Sequence, residues 1–269
     1  MNTTRKGAAV HATGIGVRGP RGWAFRGVDI TAEPGSLIAV EGPSGSGRTC
    51  LLLALTGRMR ITEGSATVAG FPLPKRMGTV RGRTALAHVP GVAELEPALT
   101  VGEHLKEQAL LGRRLTNSPG GLLPWGKRHK EAARARIDAA LAAAGLDPDT
   151  LAKGLRTTVR DLERLEALRL SIALAVMHDP HLLAVDDVDL KLSPAERALA
   201  WQLLRDLALA GTTVVAAGSD APADALIVRT TPAGTARPAD PAPAQDGPGT
   251  TPHTTEEEAA HAFAEAGRA

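Results

Sequence analysis

A glycine-rich segment lies between two apolar runs near the N-terminus of the sequence. It reads GPSGSGRT over residues 42–49, and the apolar runs are residues 37–40 and 50–53. Closely spaced glycines let consecutive backbone N–H groups point inward, and a helix that starts there adds the positive end of its dipole. This arrangement can bind an anion such as a nucleotide phosphate. The residues expected to form the binding loop are Gly42, Pro43, Ser44, Gly45, Ser46, Gly47, Arg48, Thr49 and Cys50.

Arg48 is the one departure from the phosphate-loop pattern G-x-x-x-x-G-K-[ST], which has Lys at this position. A lysine ammonium is a compact charge, whereas the guanidinium of Arg48 is longer, planar and forked, so the two are not interchangeable. Thr49 keeps the hydroxyl with which such loops bind Mg²⁺. We expect phosphate and magnesium to bind here. The alternative is a glycine-rich turn without a ligand.

Two adjacent acids, Asp186 and Asp187, follow an apolar run in the second half of the chain. A carboxylate at the end of a buried strand is the expected second magnesium ligand, and we assign this role to Asp186. Asp187 stands where such enzymes often carry a Glu that positions the attacking water, but its side chain is one methylene shorter. The alternative is that the two acids form a solvated turn.

The elements that must position these groups follow from the hydrophobic pattern. Helices are predicted over residues 100–111, 131–144, 159–177 and 193–210, and capping boxes at Thr100 and Ser193 support the first and the last. Strands are predicted over residues 37–40, 86–90, 181–186, 212–217 and 225–229. Strands that alternate with helices predict an α/β fold with a mostly parallel sheet, whose ligand lies at the carboxyl ends of the strands.

The chain divides into a folded part and a tail. Residues 1–234 are predicted to form one domain, which is strand-rich over residues 10–68 and helical over about residues 100–178. Residues 115–127 are predicted to be a loop. Residues 235–269 are rich in Pro, Ala, Thr and Glu, and they lack the apolar surface that would order them, so we expect a disordered tail.

Composition excludes several classes of protein. The 43% of hydrophobic and 22% of charged residues are those of an ordinary globular protein, and a net charge of +2 gives no strong attraction to nucleic acid. Aromatic residues make up 2%, so bases have few stacking partners and we expect no nucleic-acid partner. The single cysteine, Cys50, favours a reducing compartment. We expect no secretory signal, and no apolar run reaches the ~20 residues of a membrane span.

The order of these motifs resembles the nucleotide-binding domain of an ATP-binding cassette (ABC) transporter. The resemblance covers about residues 8–235 and includes the glycine loop, the helical insert, the strand before Asp186 and the helix capped by Ser193. It implies a P-loop NTPase fold, in which the mostly parallel sheet carries an N-terminal antiparallel β subdomain and an inserted helical subdomain. It also implies that two such domains enclose two ATP molecules, and that each site joins the loop of one domain to a signature segment of the other.

Several family positions carry unusual residues here. The signature LSGGQ falls at residues 162–166, which read LERLE, and the Glu163 carboxylate would repel a phosphate. The Q-loop glutamine is replaced by Gly91, and the switch histidine by Ser219. The aromatic residue that stacks on adenine falls near Arg18, and Trp23 is close enough to substitute for it.

Asp187 and Ser219 are therefore the residues at the two catalytic positions. A positioned general base or polarising group typically contributes about 10²–10⁴-fold in rate, so these substitutions predict weak or partner-dependent hydrolysis. Binding of ATP and Mg²⁺ depends on backbone amides and on Thr49 and Asp186, which remain.

The resemblance implies two partners, a membrane permease and a second nucleotide-binding domain in a homo- or heterodimer. The helical residues 100–177 would face the permease, and the protein would be cytoplasmic, peripheral on the inner face of the cell membrane. The alternative is a non-catalytic scaffold or regulatory module on the same fold, with the tail as its interaction element. A phosphate-loop kinase and a DNA-repair ATPase are less favoured, because the sequence has no acceptor-substrate site, no coiled-coil insert and no zinc cysteines.

Overall fold

The computed structural model describes residues 7–20, 22–115 and 127–231. The strands among them are β1 (Val10–Gly19), β2 (Gly22–Ala32), β3 (Leu37–Glu41), β4 (Glu63–Val68), β5 (Phe71–Leu73), β6 (Thr84–Ala87), β7 (Leu182–Val185), β8 (Thr213–Ala217) and β9 (Leu226–Arg229). The helices are α1 (Arg48–Leu55), α2 (Met77–Arg81), α3 (Val101–Leu115), α4 (Lys127–Ala143), α5 (Arg164–Val176) and α6 (Pro194–Leu209).

A five-stranded parallel sheet forms the centre, with the strand order β6-β7-β8-β3-β9. The residues of β7 and β8 are all buried, which explains why these strands are continuous apolar runs rather than alternating ones. Because the strands are parallel, the segments that follow β3, β6, β7 and β8 leave the sheet at one edge. The glycine loop and the acid pair both belong to these segments.

Alternate side chains of the central strands enter two different hydrophobic clusters. Leu37 and Ala39 of β3 pack in the cluster that contains α3, α5 and α6, whereas Ile38 and Val40 pack in the cluster that contains α1 and the second sheet. This division follows from the two-residue period of a strand. The sheet therefore separates the helical part of the chain from the N-terminal part.

The second sheet is antiparallel, with the order β2-β1-β4-β5. Strands β1 and β2 are long and adjacent in sequence, and irregularities in their register fall between Ala12 and Ile15 and again near Val17. The buried face of this sheet covers α1, which begins at Arg48 directly after the last glycine of the glycine loop. Together the two sheets confirm the predicted P-loop fold with its antiparallel β subdomain.

The longest predicted helix of the insert starts later than the sequence pattern indicated. Residues from Val159 form a short 3₁₀ turn, and α5 begins only at Arg164. The Val159 N–H donates to Leu99 O at 2.9 Å, which ties the turn to another segment. The N–H of Glu163 donates to Glu166 Oε2 at 2.9 Å, which caps α5 at that point. Hydrophobic period alone cannot locate such a cap.

Other boundaries differ by a few residues, and two short elements were not predicted. The strand expected over residues 86–90 is β6 at Thr84–Ala87, and β5 and α2 have only three and five residues, too few for a periodic signal. Residues 116–126 of the predicted loop and the predicted tail, residues 235–269, lie outside the described residues. None of the helices described combines the length and the apolarity that a membrane crossing requires.

Candidate functional site

The glycine loop joins β3 to α1 and is pressed against the second sheet at Gly47. Gly47 has the left-handed backbone (φ 87°), and a Cβ there would lie 2.2 Å from the carbonyl oxygen of Ala24 in β2. Gly45 is also left-handed (φ 79°), but a Cβ there would meet nothing within 4 Å. The loop is therefore held from behind at Gly47 and is open to solvent at Gly45.

Ser46 lies underneath the loop rather than at its surface. Its buried hydroxyl shares a 2.7 Å hydrogen bond with the hydroxyl of Thr230, and the Thr230 N–H donates to Glu41 O at 2.9 Å. The Ser46 N–H donates to Pro43 O at 3.1 Å. The segment after β9 thus anchors the loop from below. The exposed residues of the predicted binding loop are Pro43, Ser44 and Gly45.

Thr49 and Asp186 meet at the start of α1. The Thr49 hydroxyl donates to Asp186 Oδ2, and the other carboxylate oxygen accepts the N–H of Asp187 at 3.0 Å. Asp186 follows β7 and is 1% exposed. Burial raises the pKa of Asp186, and its hydrogen bond from Thr49 opposes this shift. The sequence predicts that Thr49 and Asp186 bind the same magnesium ion, and in the structure the two side chains are in contact.

A hydroxyl and a carboxylate are oxygen ligands of the kind that Mg²⁺ prefers. Mg²⁺ commonly takes only one or two ligands from the protein and completes its shell with phosphate oxygens and water. The donor set of Thr49 and Asp186 fits this arrangement. No group of three or more His, Cys, Asp and Glu side chains in residues 7–20, 22–115 and 127–231 could hold a metal by itself.

Arg48 turns toward the second acid of the pair. Its Nη2 lies 3.4 Å from Oδ1 of Asp187, and the two side chains are 20% and 28% exposed. Asp187 has a positive φ of 45°, which is uncommon for a residue other than glycine. The cation of the loop is therefore paired with the acid expected to act on water. A sequence cannot show such a contact between residues 139 positions apart.

The segment at the signature position is tied to its own domain through Arg164. Its Nη2 lies 2.6 Å from His88 Nε2, and its Nε donates to Leu190 O at 3.1 Å. A guanidinium has no acceptor, so His88 Nε2 must accept this bond with its lone pair and the ring must be neutral. Burial lowers the pKa of His88, and the nearby charge of Arg164 lowers it further.

His88 was missed by the sequence reasoning. It follows β6, whose carboxyl end lies beside that of β7. Polar residues directly after parallel strands are the ones expected at a ligand edge, and this rule could have drawn attention to His88. No local pattern indicates the partner of His88, because Arg164 lies 76 residues away.

Ser219 follows β8 and is bound to the turn after β7. Its N–H donates to Asp189 Oδ2 at 2.6 Å, and its hydroxyl donates to the same oxygen. Gly91 lies in an exposed turn with φ 72°, where its N–H donates to Glu94 Oε1 at 2.8 Å. Gly91 has no side chain that could approach a ligand.

Trp23 in β2 is flanked by two arginines. The guanidinium carbons of Arg18 and Arg26 lie 5.7 and 4.8 Å from the centre of a Trp23 ring. Trp23 precedes Ala24, whose carbonyl packs against the glycine loop. The aromatic residue proposed to substitute at the adenine position is therefore adjacent to the contact between β2 and the loop.

Cys50 lies half-buried in the first turn of α1. Burial raises the pKa of its thiol, and the negative charge of Asp186 adds to this effect. A raised pKa lowers the thiolate fraction at neutral pH, and the thiolate is the reactive form. Cys50 also packs against the hydrophobic cluster that contains α1 and the second sheet, which favours a packing role over that of a nucleophile.

A family model described as ABC transporter matches residues 25–189. The chain belongs to the ABC transporter family. It is 30% identical over 190 residues to the Nod factor export ATP-binding protein I of Cupriavidus metallidurans, across 70% of this chain and 55% of that protein. It is 33% identical over 213 residues to the hemin import ATP-binding protein HmuV of Myxococcus xanthus, across 74% and 73%. This chain thus spans just over half the length of the Nod factor export protein.

Solved ABC cassettes share the fold. A dimeric bacterial ABC transporter cassette has a TM-score of 0.64 at 19% identity, across 83% of this chain and 95% of that one. The cbiO1 protein of Clostridium perfringens, part of an ABC transporter complex, has a TM-score of 0.63 at 19% identity, across 80% and 79%. These similarities confirm the P-loop NTPase fold of this ABC family member.

Proposed function

We propose that this chain is the ATP-binding subunit of an ABC transporter and that ATP and Mg²⁺ bind at the loop of residues 42–49. The observation that carries this proposal is the contact between Thr49 and Asp186 at the mouth of the loop. It supports a site in which the amides hold phosphate and the two oxygens hold the metal. Bound Mg²⁺ would neutralise phosphate charge there. The relatives are named ATP-binding proteins, which favours nucleotide binding over a purely structural scaffold.

We expect slow hydrolysis by the isolated chain. Asp187 is one methylene shorter than the Glu that often positions the attacking water, and the hydroxyl of Ser219 is bound to Asp189, so neither side chain is well placed to activate water. A second nucleotide-binding domain, as a copy of this chain or a different one, would supply the other half of each site. The proposed location is the inner face of the cell membrane, with the chain attached to a permease.

The test of nucleotide binding is equilibrium titration of the purified chain with ATP, with and without Mg²⁺. We expect saturable binding that Mg²⁺ strengthens, together with ATP turnover that is low alone and rises with the partner subunits. Absence of binding at millimolar ATP would contradict the proposal. Turnover that needs no partner would contradict its second part.

A cleft of about 960 Å³ supports docking of a permease segment. It lies between α2, β6 and the end of α5, and Arg58, Arg81, Arg83 and His178 are among its lining residues. The three arginines favour a permease segment with acidic residues, whereas burial and the charge of Arg136 lower the pKa of His178 and keep it neutral. Exchanging the exposed Arg81 for Glu should weaken co-purification with the permease, whereas Arg60→Glu, an exposed site outside the cleft lining, should not.

A further inference from the structure

Asp187 carries its charge near two arginines that come from different parts of the chain. Arg48 lies on the first turn of α1, and its Nη2 is 3.4 Å from the Asp187 carboxylate. Arg164 lies at the start of α5, and the charge of Asp187 acts to raise the pKa of its guanidinium, although burial lowers that pKa overall. Because the Arg48 and Asp187 side chains are mostly shielded from solvent, salt screens their attraction less than that of a surface pair.

The backbone around Asp187 is held in place from both sides. The Asp187 N–H donates to Asp186 Oδ1 at 3.0 Å, and the Asp187 carbonyl accepts the Leu190 N–H at 3.1 Å. The Leu190 carbonyl in turn accepts the Nε of Arg164 at 3.1 Å. The backbone of Asp187 is therefore fixed and its short side chain has little reach, whereas the long side chain of Arg48 can turn toward another partner.

A phosphate in the loop would attract the same guanidinium. Arg48 directly follows Gly47, at the position from which the loop cation reaches phosphate in the usual pattern. A guanidinium forms directed, forked bonds, so turning toward phosphate costs it the contact with Asp187. We propose that Asp187 competes with nucleotide phosphate for Arg48 and thereby lowers the nucleotide affinity of the loop. This inference rests on the proposed function, because a nucleotide must occupy the loop.

The charge of Arg164 explains why nucleotide phosphate can still draw Arg48 away from Asp187. When Arg48 turns to phosphate, the Asp187 carboxylate still has the charge of Arg164 nearby. A half-buried carboxylate is not left without a cation, which would be strongly unfavourable. The arrangement therefore weakens binding to a limited extent and does not block it.

The experiment measures ATP and ADP affinity by calorimetric titration of the full chain in EDTA, which removes hydrolysis and magnesium from the comparison. The variants are Asp187→Asn, Arg48→Met and the double variant. We expect Asp187→Asn to tighten binding of both nucleotides about threefold to tenfold, as the loss of a shielded competing ion pair predicts. In the Arg48→Met background the same change should have an effect of less than about twofold.

Asp189→Asn is the matched control, because it removes the same charge two residues away, where the carboxylate is bonded to Ser219 and not to Arg48. It should tighten binding less than about twofold.

Unchanged or weaker binding by Asp187→Asn overturns the inference, as does equal tightening in the Arg48→Met background. Asp187→Ser replaces Asp187→Asn if the latter fails to fold. If the wild-type chain binds ATP but these differences are absent, the inference alone is refuted. If the wild-type chain binds no nucleotide in EDTA or with Mg²⁺, the proposed function is refuted with it.

Discussion

Gly45 and Gly47 share a left-handed backbone and differ in their surroundings. Ala at either position has a strained φ, which costs roughly 1–2 kcal/mol. Only at Gly47 would the new Cβ also collide with the Ala24 carbonyl, 2.2 Å away. We expect Gly47→Ala to lose at least about 2 kcal/mol more than Gly45→Ala in chemical denaturation, because the loop must move away from β2. Equal losses would show that β2 does not hold the loop.

Thr49 contributes a hydroxyl and little else to the proposed metal site. Thr49→Val keeps the shape of the side chain and removes the bond to Asp186. We expect the Mg²⁺-dependent gain in ATP affinity to fall by about tenfold, while ATP binding in EDTA stays within about twofold of the wild type. Calorimetry with and without Mg²⁺ makes the comparison. Thr56→Val, at a hydroxyl bonded only within the end of α1, is the control.

The candidate residues could be predicted singly, but their contacts could not. Glycine spacing and a Thr after the loop predict phosphate and magnesium chemistry from local pattern alone. The pairing of Arg48 with Asp187 joins residues 139 positions apart and depends on the neighbouring places of β3 and β7 in the sheet. The sequence pattern singled out Arg48, but its pairing required the structure.

At the scale of elements, His88 and Arg164 connect the end of β6 to the start of α5. Burial and the charge of Arg164 hold the pKa of His88 below its usual value of 6.5. Between about pH 6.5 and this lowered pKa, His88 is therefore protonated to a greater extent in the unfolded chain than in the folded chain. Stability should decrease as the pH falls through that range.

His88→Gln removes this titration and keeps an acceptor for Arg164. We expect the variant to lose less free energy of unfolding than the wild type between pH 7 and pH 5, because it has no imidazole to protonate on unfolding. Urea denaturation at several pH values measures it. His11→Gln, at an exposed histidine of β1, should follow the wild-type curve. A His88→Gln variant that also follows that curve would contradict a neutral, buried His88.

Caps and packing decided the element boundaries. The capping box of Ser193 and Glu196 and the proline after it predicted the start of α6 correctly, because these signals are local. The start of α5 was predicted too early, because the turn at Val159–Asp161 is held by a bond to Leu99, which sequence periodicity does not register.

At the scale of the whole molecule, Glu163 lies exposed in the segment proposed to face a second domain. Its carboxylate would repel a phosphate bound to the opposite loop. We expect Glu163→Gln to strengthen ATP-dependent self-association about threefold to tenfold, as measured by light scattering over a range of protein concentrations. Asp161→Asn, at a nearby exposed acid bonded to Thr158, is the control and should have a smaller effect. Unchanged association of Glu163→Gln would place the dimer contact elsewhere.

The tail is predicted to be dispensable for the fold. Removing residues 235–269 should change the free energy of unfolding by less than about 0.5 kcal/mol and leave ATP affinity unchanged. Removing residues from 225 onward is the contrasting variant, because it deletes β9 and the Thr230 that anchors Ser46. That variant should lose ATP binding. A shorter deletion that also lost binding would support the tail as a functional element.

The sequence by itself determined the fold class, the family resemblance and the place of the glycine loop between a strand and a helix. These depend on local signals: hydrophobic period, glycine spacing, caps and the acid pair after an apolar run. Each signal lies within a few consecutive residues, and at that range the side chains themselves determine whether the backbone forms a helix, a strand or a turn.

Only the tertiary structure decided which charges meet. Arg48 faces Asp187, Arg164 faces His88, Ser219 faces Asp189, and Ser46 is bonded to Thr230. In each pair the partners come from separate segments, most of which follow strands of the parallel sheet, and the order of that sheet brings the ends of its strands to one edge. The strength of an electrostatic interaction depends on the distance between the charges and on their burial, and the spacing of residues along the chain determines neither of these.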